Sequence, residues 1–389
     1  MEPRDRDERL HITYATTFDP SDVRAWSGTI YHLAKALEKA EMQVDYCGEI
    51  AKNQVLVNKA INKITKLSSL GELFPVERTN RMAKLFAGRI RAHLMRSRCD
   101  IVFSPGSIPL ALLKTKRPKV FYTDATFAGI LEQYPEFSGY PKRYIKEGHD
   151  LEQQALDNCD LAIYSSQWAA RTAMEHYGMD AARIRVVPFG SNLRTTPDAA
   201  EVADHIKSRA NTPCELLFIG VAWERKGGPK VLEIARELHG QGIPVRVHVV
   251  GSAPPESDLP DYVITHGFVS KETEEGRKKI AHLLARAHFL LLPSLAECMG
   301  IVLCEANAYG VPCLANDVGG IPEVVKNDIN GRLFHVDAPA SEWAEHIAGL
   351  YEDGQRYRTL AITSRKEFDQ RLNWDSTGAA IRGYLQELV

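Results

Sequence analysis

Two doubly wound α/β domains are what this chain of 389 residues predicts, and three observations carry that expectation. Short apolar runs, among them Ile101 to Ser104, Leu161 to Tyr164 and His288 to Leu292, alternate with segments of helical period. That alternation is the mark of parallel strands joined by helices. The runs end in loops carrying glycine, proline and small polar residues, and helices open from those loops. Finally, the length suits two domains of ordinary size, each able to bury its own core. An apolar fraction of 44% and a charged fraction of 25% are those of a soluble globular protein.

The first half begins with a charged arm, Met1 to Arg9, unlike a signal peptide. Its Asp5-Arg6-Asp7 reads as solvated chain rather than a metal site. A strand over Leu10 to Thr16 leads to a turn and to Ser27-Gly28. The helix that follows repeats Ile30, Leu33, Ala34 and Leu37 at helical spacing. Gly28 is either a plain helix-start glycine or a place where a ligand approaches the backbone. After a short strand (Val44 to Tyr46) come two basic helical segments, about 52–70 and 78–97. In the first, Lys52, Lys59, Lys63 and Lys66 form one stripe beside an apolar face of Leu56, Ala60, Ile64 and Leu67. This is either a solvated edge next to a core-facing side or a surface for an anionic partner. The strand Val120 to Thr123 ends in Asp124, which is either an N-cap for the next segment or a carboxylate aimed into a cleft. His149, in a charged helix, reads as a surface residue. Strands over Leu161 to Tyr164 and Arg183 to Val187 close this half, and Thr195 to Pro213 reads as the linker.

The second half opens with the strand Leu216 to Gly220 and a loop, Val221 to Gly228, carrying Arg225 and Lys226. Two cations in a glycine-bearing strand-to-helix loop suit a diphosphate. Strands over Val245 to Gly251 and Tyr262 to Phe268 follow, then the stretch from Pro293 to Val325. There a strand stops at Pro293, a loop carries Glu297, and a helix runs from Gly300 to Gly310. This order puts backbone N–H groups and a helix N-terminus at the carboxyl edge of a parallel sheet, where open α/β sheets hold ligands and anions. Glu297 and Glu305 can both border that crevice, and ionised carboxylates suit sugar hydroxyls because they only accept hydrogen bonds. The plainer reading is a helix-start acid plus a solvated helix glutamate. Against it, Glu305 lies among Ile301, Val302, Leu303, Cys304 and Ala306, where a carboxylate needs a partner.

Glu-Cys-Met-Gly-Ile-Val-Leu-Cys-Glu (297–305), then Gly-Val-Pro, Gly-Gly-Ile-Pro-Glu-Val-Val and Asn-Gly-Arg-Leu-Phe, resembles the retaining glycosyltransferases of family four. The resemblance implies the GT-B fold, two Rossmann-like domains across a cleft, with residues 1–195 binding acceptor and 196–373 binding the donor. Residues 374–389 would form a terminal helix that packs back on the first domain. It implies that Glu305 binds the nucleotide ribose, that Glu297 contacts the donor sugar, and that the amides of Met299, Gly300, Ile301 and Val302 lie against diphosphate and sugar. Lys226-Gly227 matches the family's phosphate-binding Lys-Gly, while Val221 replaces its usual arginine, a role Arg225 would take over. Met299 stands where an aromatic is usual. By the same likeness Val269 faces the base through its backbone, and Gly28 and Asp124 meet donor or acceptor.

Net charge is only −2, yet residues 51–98 hold eleven Lys and Arg against two acids, which points to an anionic partner. The seven cysteines lack paired metal spacings and read as buried reduced thiols of a cytosolic protein. No dinucleotide or P-loop glycine motif occurs. The expected activity is transfer of a hexose from a UDP-, GDP- or ADP-sugar to a hydroxyl of a glycan or lipid-linked acceptor. By the family's pattern the transfer retains configuration and needs neither cofactor nor metal. The rival readings are another GT-B enzyme, an epimerase or a phosphorylase, and a sugar-nucleotide-binding module without turnover. Nothing points to nucleic acid. The expected place is the cytoplasm, with docking at the inner face of the membrane through 51–98.

Overall fold

The computed structural model describes residues 9–68, 74–134, 139–209, 213–255 and 258–389. Asp5 and Asp7 lie outside them. The chain divides into two compact units. One is formed by the chain up to Pro188 together with Trp374–Val389, the other by Phe189–Asn373.

Six strands build the first unit: β1 (His11–Ala15), β2 (Gln43–Cys47), β3 (Ile101–Ser104), β4 (Lys119–Thr123), β5 (Leu161–Tyr164) and β6 (Ile184–Val186). They lie in the order β2-β1-β3-β4-β5-β6, and every neighbouring pair is parallel. β3, β4 and β5 are buried throughout, the expected pattern for strands covered by helices on both faces. The second unit holds β7 (Cys214–Ile219), β8 (Val245–Val250), β9 (Val263–Thr265), β10 (Phe289–Leu292), β11 (Cys313–Asn316) and β12 (Gly331–Phe334). Their order is β12-β11-β10-β7-β8-β9, again all parallel. In each sheet the chain starts at an inner strand and builds outward in both directions. The reversal falls between β1 and β3 in one sheet and between β7 and β10 in the other.

Three expectations need correcting. The segment read as a linker contains the helix Ala199–Ser208, and it belongs to the second unit. Its start is a capping box in which the Asp198 side chain accepts from the Glu201 amide and the Glu201 side chain accepts from the Asp198 amide. The division between the units falls at Pro188, ahead of the expected boundary at 195. Pro188 gives its carbonyl to Thr377 in the first unit, while buried Phe189 donates its amide to the Met299 thioether in the second. Third, His149 is half-buried, its Nδ1 lies 2.9 Å from the Tyr177 hydroxyl, and burial lowers its pKa.

The helix Trp374–Gln386 packs on the helix Thr29–Lys39 within the first unit. A Cβ at Gly378 would sit 2.5 Å from the Ala36 carbonyl oxygen, so only glycine permits this approach. Lys39 pairs with Asp375 at 2.6 Å and Arg382 with Glu41 at 3.1 Å at its rim. All seven cysteines are buried. No described helix is long and apolar enough to cross a membrane.

Candidate active site

The two loops that leave β7 and β10 flank the reversal of the second sheet, the place where parallel α/β sheets leave room for a ligand. They are fastened to each other. The Leu295 amide donates to the Arg225 carbonyl at 2.8 Å, and Arg225 Nη1 donates to the Ala296 carbonyl at 3.0 Å. Gly227 is what lets them approach. It sits at φ 79°, and a Cβ there would lie 2.0 Å from the Pro293 carbonyl oxygen. The loop after β7 is itself a tight turn, closed by the Lys226 amide on the Ala222 carbonyl at 2.8 Å.

Lys226 and Glu297 meet across this junction as a short ion pair, both side chains largely buried. Glu297 also receives the Gly320 amide on its main-chain oxygen at 3.1 Å, which ties the Gly319-Gly320 loop to the same place. Behind Glu297, Gly300 at φ 79° turns the chain into the helix Ile301–Ala308. The first amides of that helix have no intrahelical acceptor, and its dipole places partial positive charge at Gly300. Its other end is held by guanidinium groups. Fully buried Arg209 donates to the Tyr309 and Gly310 carbonyls at 2.9 and 2.8 Å, and Arg365 donates to the Ala308 carbonyl at 2.7 Å. Cations at the carboxyl end and open amides at the amino end fix both position and polarity of the helix.

Glu305 projects from the middle of this helix with no solvent exposure. The partner its burial demands is Lys271, whose Nζ lies 2.5 Å from both carboxylate oxygens. Lys271 follows β9 and is itself part-exposed. The structure thus brings Arg225, Lys226, Glu297, Met299, Gly300, Ile301, Val302 and Glu305 into one neighbourhood. Half-buried Val269 sits two residues before Lys271. Met299 turns its side chain inward to accept from Phe189 at 3.3 Å, so only its backbone is available to a ligand. Val221 is exposed, and Arg225, four residues on in the same loop, has its guanidinium on the Ala296 carbonyl. Sequence reasoning missed Lys271 and Arg209. The demand of a buried Glu305 signalled a cation without naming which lysine, and Arg209 lay in the segment read as linker.

Gly28 and Asp124 belong to the first unit. Gly28 (φ 94°) ends a run of three left-handed residues with Trp26 (φ 50°) and Ser27 (φ 57°), in the loop leaving β1 beside the reversal of that sheet. Two non-glycine residues in this region store backbone strain. Asp124 is half-buried at the end of β4. The cap of the next helix, Phe127–Gln133, is Thr126, whose hydroxyl accepts from the Gly129 amide at 3.2 Å, so Asp124 is not the cap.

Two such parallel sheets, each in its own unit, are the GT-B architecture of glycosyltransferases. A sucrose-phosphate synthase from Thermosynechococcus elongatus superposes with a TM-score of 0.68 at 17% identity, covering 98% of this chain and 99% of that one. Anabaena HepE, solved in complex with UDP, gives 0.65 at 19% identity, covering 98% and 100%. Residues 28–194 match Glycosyltransferase Family 4, and residues 213–353 match Glycosyl transferases group 1. The chain belongs to the family-four glycosyltransferases. It is 31% identical over 248 residues to a D-inositol 3-phosphate glycosyltransferase of Xylanimonas cellulosilytica, a match spanning 59% of this chain and 57% of that protein. The corresponding Paenarthrobacter aurescens protein is 26% identical over 317 residues, 77% of this chain and 76% of its own length.

Proposed function

We propose that the protein is a retaining, metal-independent hexosyltransferase that moves a sugar from a nucleoside-diphosphate donor to an acceptor hydroxyl in glycolipid or glycoconjugate synthesis. The observation that carries this reading is the pair of fastened loops at the reversal of the second sheet. They gather a lysine, a helix N-terminus and two buried carboxylates, each carboxylate held by a lysine. As the glycosidic bond breaks, negative charge grows on the departing diphosphate. Lys226 and the amides at Gly300 to Val302 stabilise it, a preorganised electrostatic contribution. Arg225 adds long-range charge, its guanidinium being engaged by the Ala296 carbonyl. Glu305 accepts from ribose hydroxyls and Glu297 from the donor sugar, the lysines yielding their places to the ligand. The backbone of Val269 lines the base. Attack comes from the face the diphosphate leaves, with a donor phosphate oxygen taking the acceptor's proton.

A uridine donor is supported by the HepE structures with UDP and UDP-glucose. The first unit, with Gly28 and Asp124, takes the acceptor. That acceptor is a glycan or lipid-linked sugar, reached from the cytoplasmic face of the membrane; the relatives' name adds inositol phosphate to the panel to be tried. Incubation with UDP-, GDP- and ADP-sugars, with and without acceptors, tests the reading. Slow donor hydrolysis, quickened by an acceptor with retained anomeric configuration, is the expected result. Isomerised donor would mean an epimerase, and binding without consumption a non-catalytic module.

A further inference from the structure

The helix Lys52–Ser68 turns its polar side inward and its apolar side out. Inward, Asn58 Nδ2 donates to the Val76 carbonyl at 2.9 Å and Asn62 Nδ2 to the Phe74 carbonyl at 2.6 Å. The Phe74 amide returns to Asn62 Oδ1 at 3.2 Å. Val55, buried, adds an apolar foot on the same side. Outward, Leu56, Val57, Ile61, Ile64 and Leu67 are between 45% and 78% exposed. At 100° per residue these five, with exposed Ala60, cover an arc of about 140°. Lys59, Lys63 and Lys66, all exposed, run along one border of that arc. Lys52 stands in the same row but is paired with Glu49. The sequence left open whether the apolar stripe faced the core; it does not.

An outward apolar arc bordered by a row of cations has two demands to meet. A soluble polyanion satisfies the lysines and leaves the arc in water. A second copy could cover the arc, but the helix contains no acidic residue, so its equivalent face brings nothing to neutralise the lysines. The boundary of an anionic bilayer meets both, acyl chains against the arc and lipid phosphates against the row. We propose that this helix lies in the headgroup boundary of an anionic membrane and carries the enzyme to it. The proposal deepens the reading of a lipid-linked acceptor and rests on it for its purpose, but not for its geometry.

The test uses the full chain with phosphatidylcholine vesicles, with and without a large fraction of phosphatidylglycerol, and measures co-sedimentation alongside UDP binding. The protein is expected to pellet with anionic vesicles only, and less as salt rises. A basic residue near such a surface is worth roughly a fivefold change in partition. Lys59→Gln, Lys63→Gln and Lys66→Gln together should therefore lower partition by roughly a hundredfold. Ile64→Gln with Leu67→Gln should lower it as well, at unchanged charge. Both variants should keep the wild-type circular dichroism and UDP affinity, since these residues belong to the first unit. Loss of UDP binding by the wild type would strike the donor reading and leave the membrane result standing. The proposal is overturned if the wild type stays in the supernatant with anionic vesicles at low salt. It is equally overturned if only the lysine variant loses binding, the mark of a soluble polyanion site. A vesicle-free, concentration-dependent dimer that the Ile64/Leu67 variant abolishes, with no pelleting, would assign the face to a second copy.

Discussion

At the level of single residues, the second unit poses two carboxylates against two lysines, and the pairs should answer differently to the parts of a donor. Lys226→Ala should weaken a nucleoside diphosphate by about 1.5–3 kcal/mol, the range of bonds to charged groups, and the bare nucleoside much less. Glu297→Gln should leave diphosphate affinity nearly intact and lower turnover. Calorimetric titration with uridine and UDP checks both, and equal losses for the two ligands in Lys226→Ala would contradict the phosphate role. Lys271 poses a subtler question. It holds both oxygens of buried Glu305, and removing it leaves a carboxylate without its cation. Because Lys271 is part-exposed, the cost of Lys271→Ala to the ligand-free protein is discounted to about 1–2 kcal/mol. Ribose hydroxyls would then supply the missing bonds. The melting temperature should fall without ligand and recover disproportionately with UDP. An unchanged ligand-induced shift would mean that Glu305 does not see the ribose.

Among the elements, β10 is held by a histidine that must be neutral. His288, 2% exposed at its start, accepts the Glu215 amide on Nδ1 at 3.1 Å and donates from Nε2 to the Arg209 carbonyl at 2.9 Å. A second ring proton would abolish the first bond. Burial, and then the Arg209 charge, lower its pKa to about 4. An unfolded imidazole titrates near 6.5, so between those values the unfolded chain binds a proton that the folded one refuses. Stability should accordingly fall as pH drops from about 6.5 toward 4, by up to about 1.4 kcal/mol per pH unit from this group. His266 and His346, also lowered to about 4 chiefly by burial, act in the same direction. Denaturant titrations at pH 7, 6 and 5 measure the slope, and a flat profile would refute the assignment. How much of this was legible follows the same physics. The strands and the loop from Pro293 to Gly300 could be read because apolar runs and glycine or proline stops are local signals. The outward face of Lys52–Ser68 could not, because periodicity reports that a helix has two sides and not which one the protein keeps. Asp198 and Glu201 were readable as a capping box, but a mixed polar composition with two prolines suggested a linker. Lys271 and Arg209 needed the tertiary structure, since their partners lie 34 and about a hundred residues away.

On the scale of the whole molecule, the helix Trp374–Gln386 completes the first unit and not the second, and Gly378 is its point of closest approach. Gly378→Val should cost the first unit about 1–3 kcal/mol by overpacking against the Ala36 carbonyl. Calorimetry should show a lowered first-unit transition, with the UDP-stabilised transition of the second unit unmoved. A loss of UDP affinity in this variant would contradict the assignment of the donor to the second unit. The same helix has a consequence for how the protein is made. The second unit is one uninterrupted stretch, Phe189–Asn373, whereas the first is assembled from two stretches that flank it in sequence. Domains emerging from a ribosome ordinarily fold in the order in which they are translated. Here the unit begun first cannot finish until Trp374–Gln386 has been made, so Phe189–Asn373 is complete ahead of it. Until then the flank of Thr29–Lys39 that receives Gly378 stays bare. A stop codon just beyond Asn373 is therefore expected to spare Phe189–Asn373, its neighbour in sequence, and to cripple the unit begun far upstream.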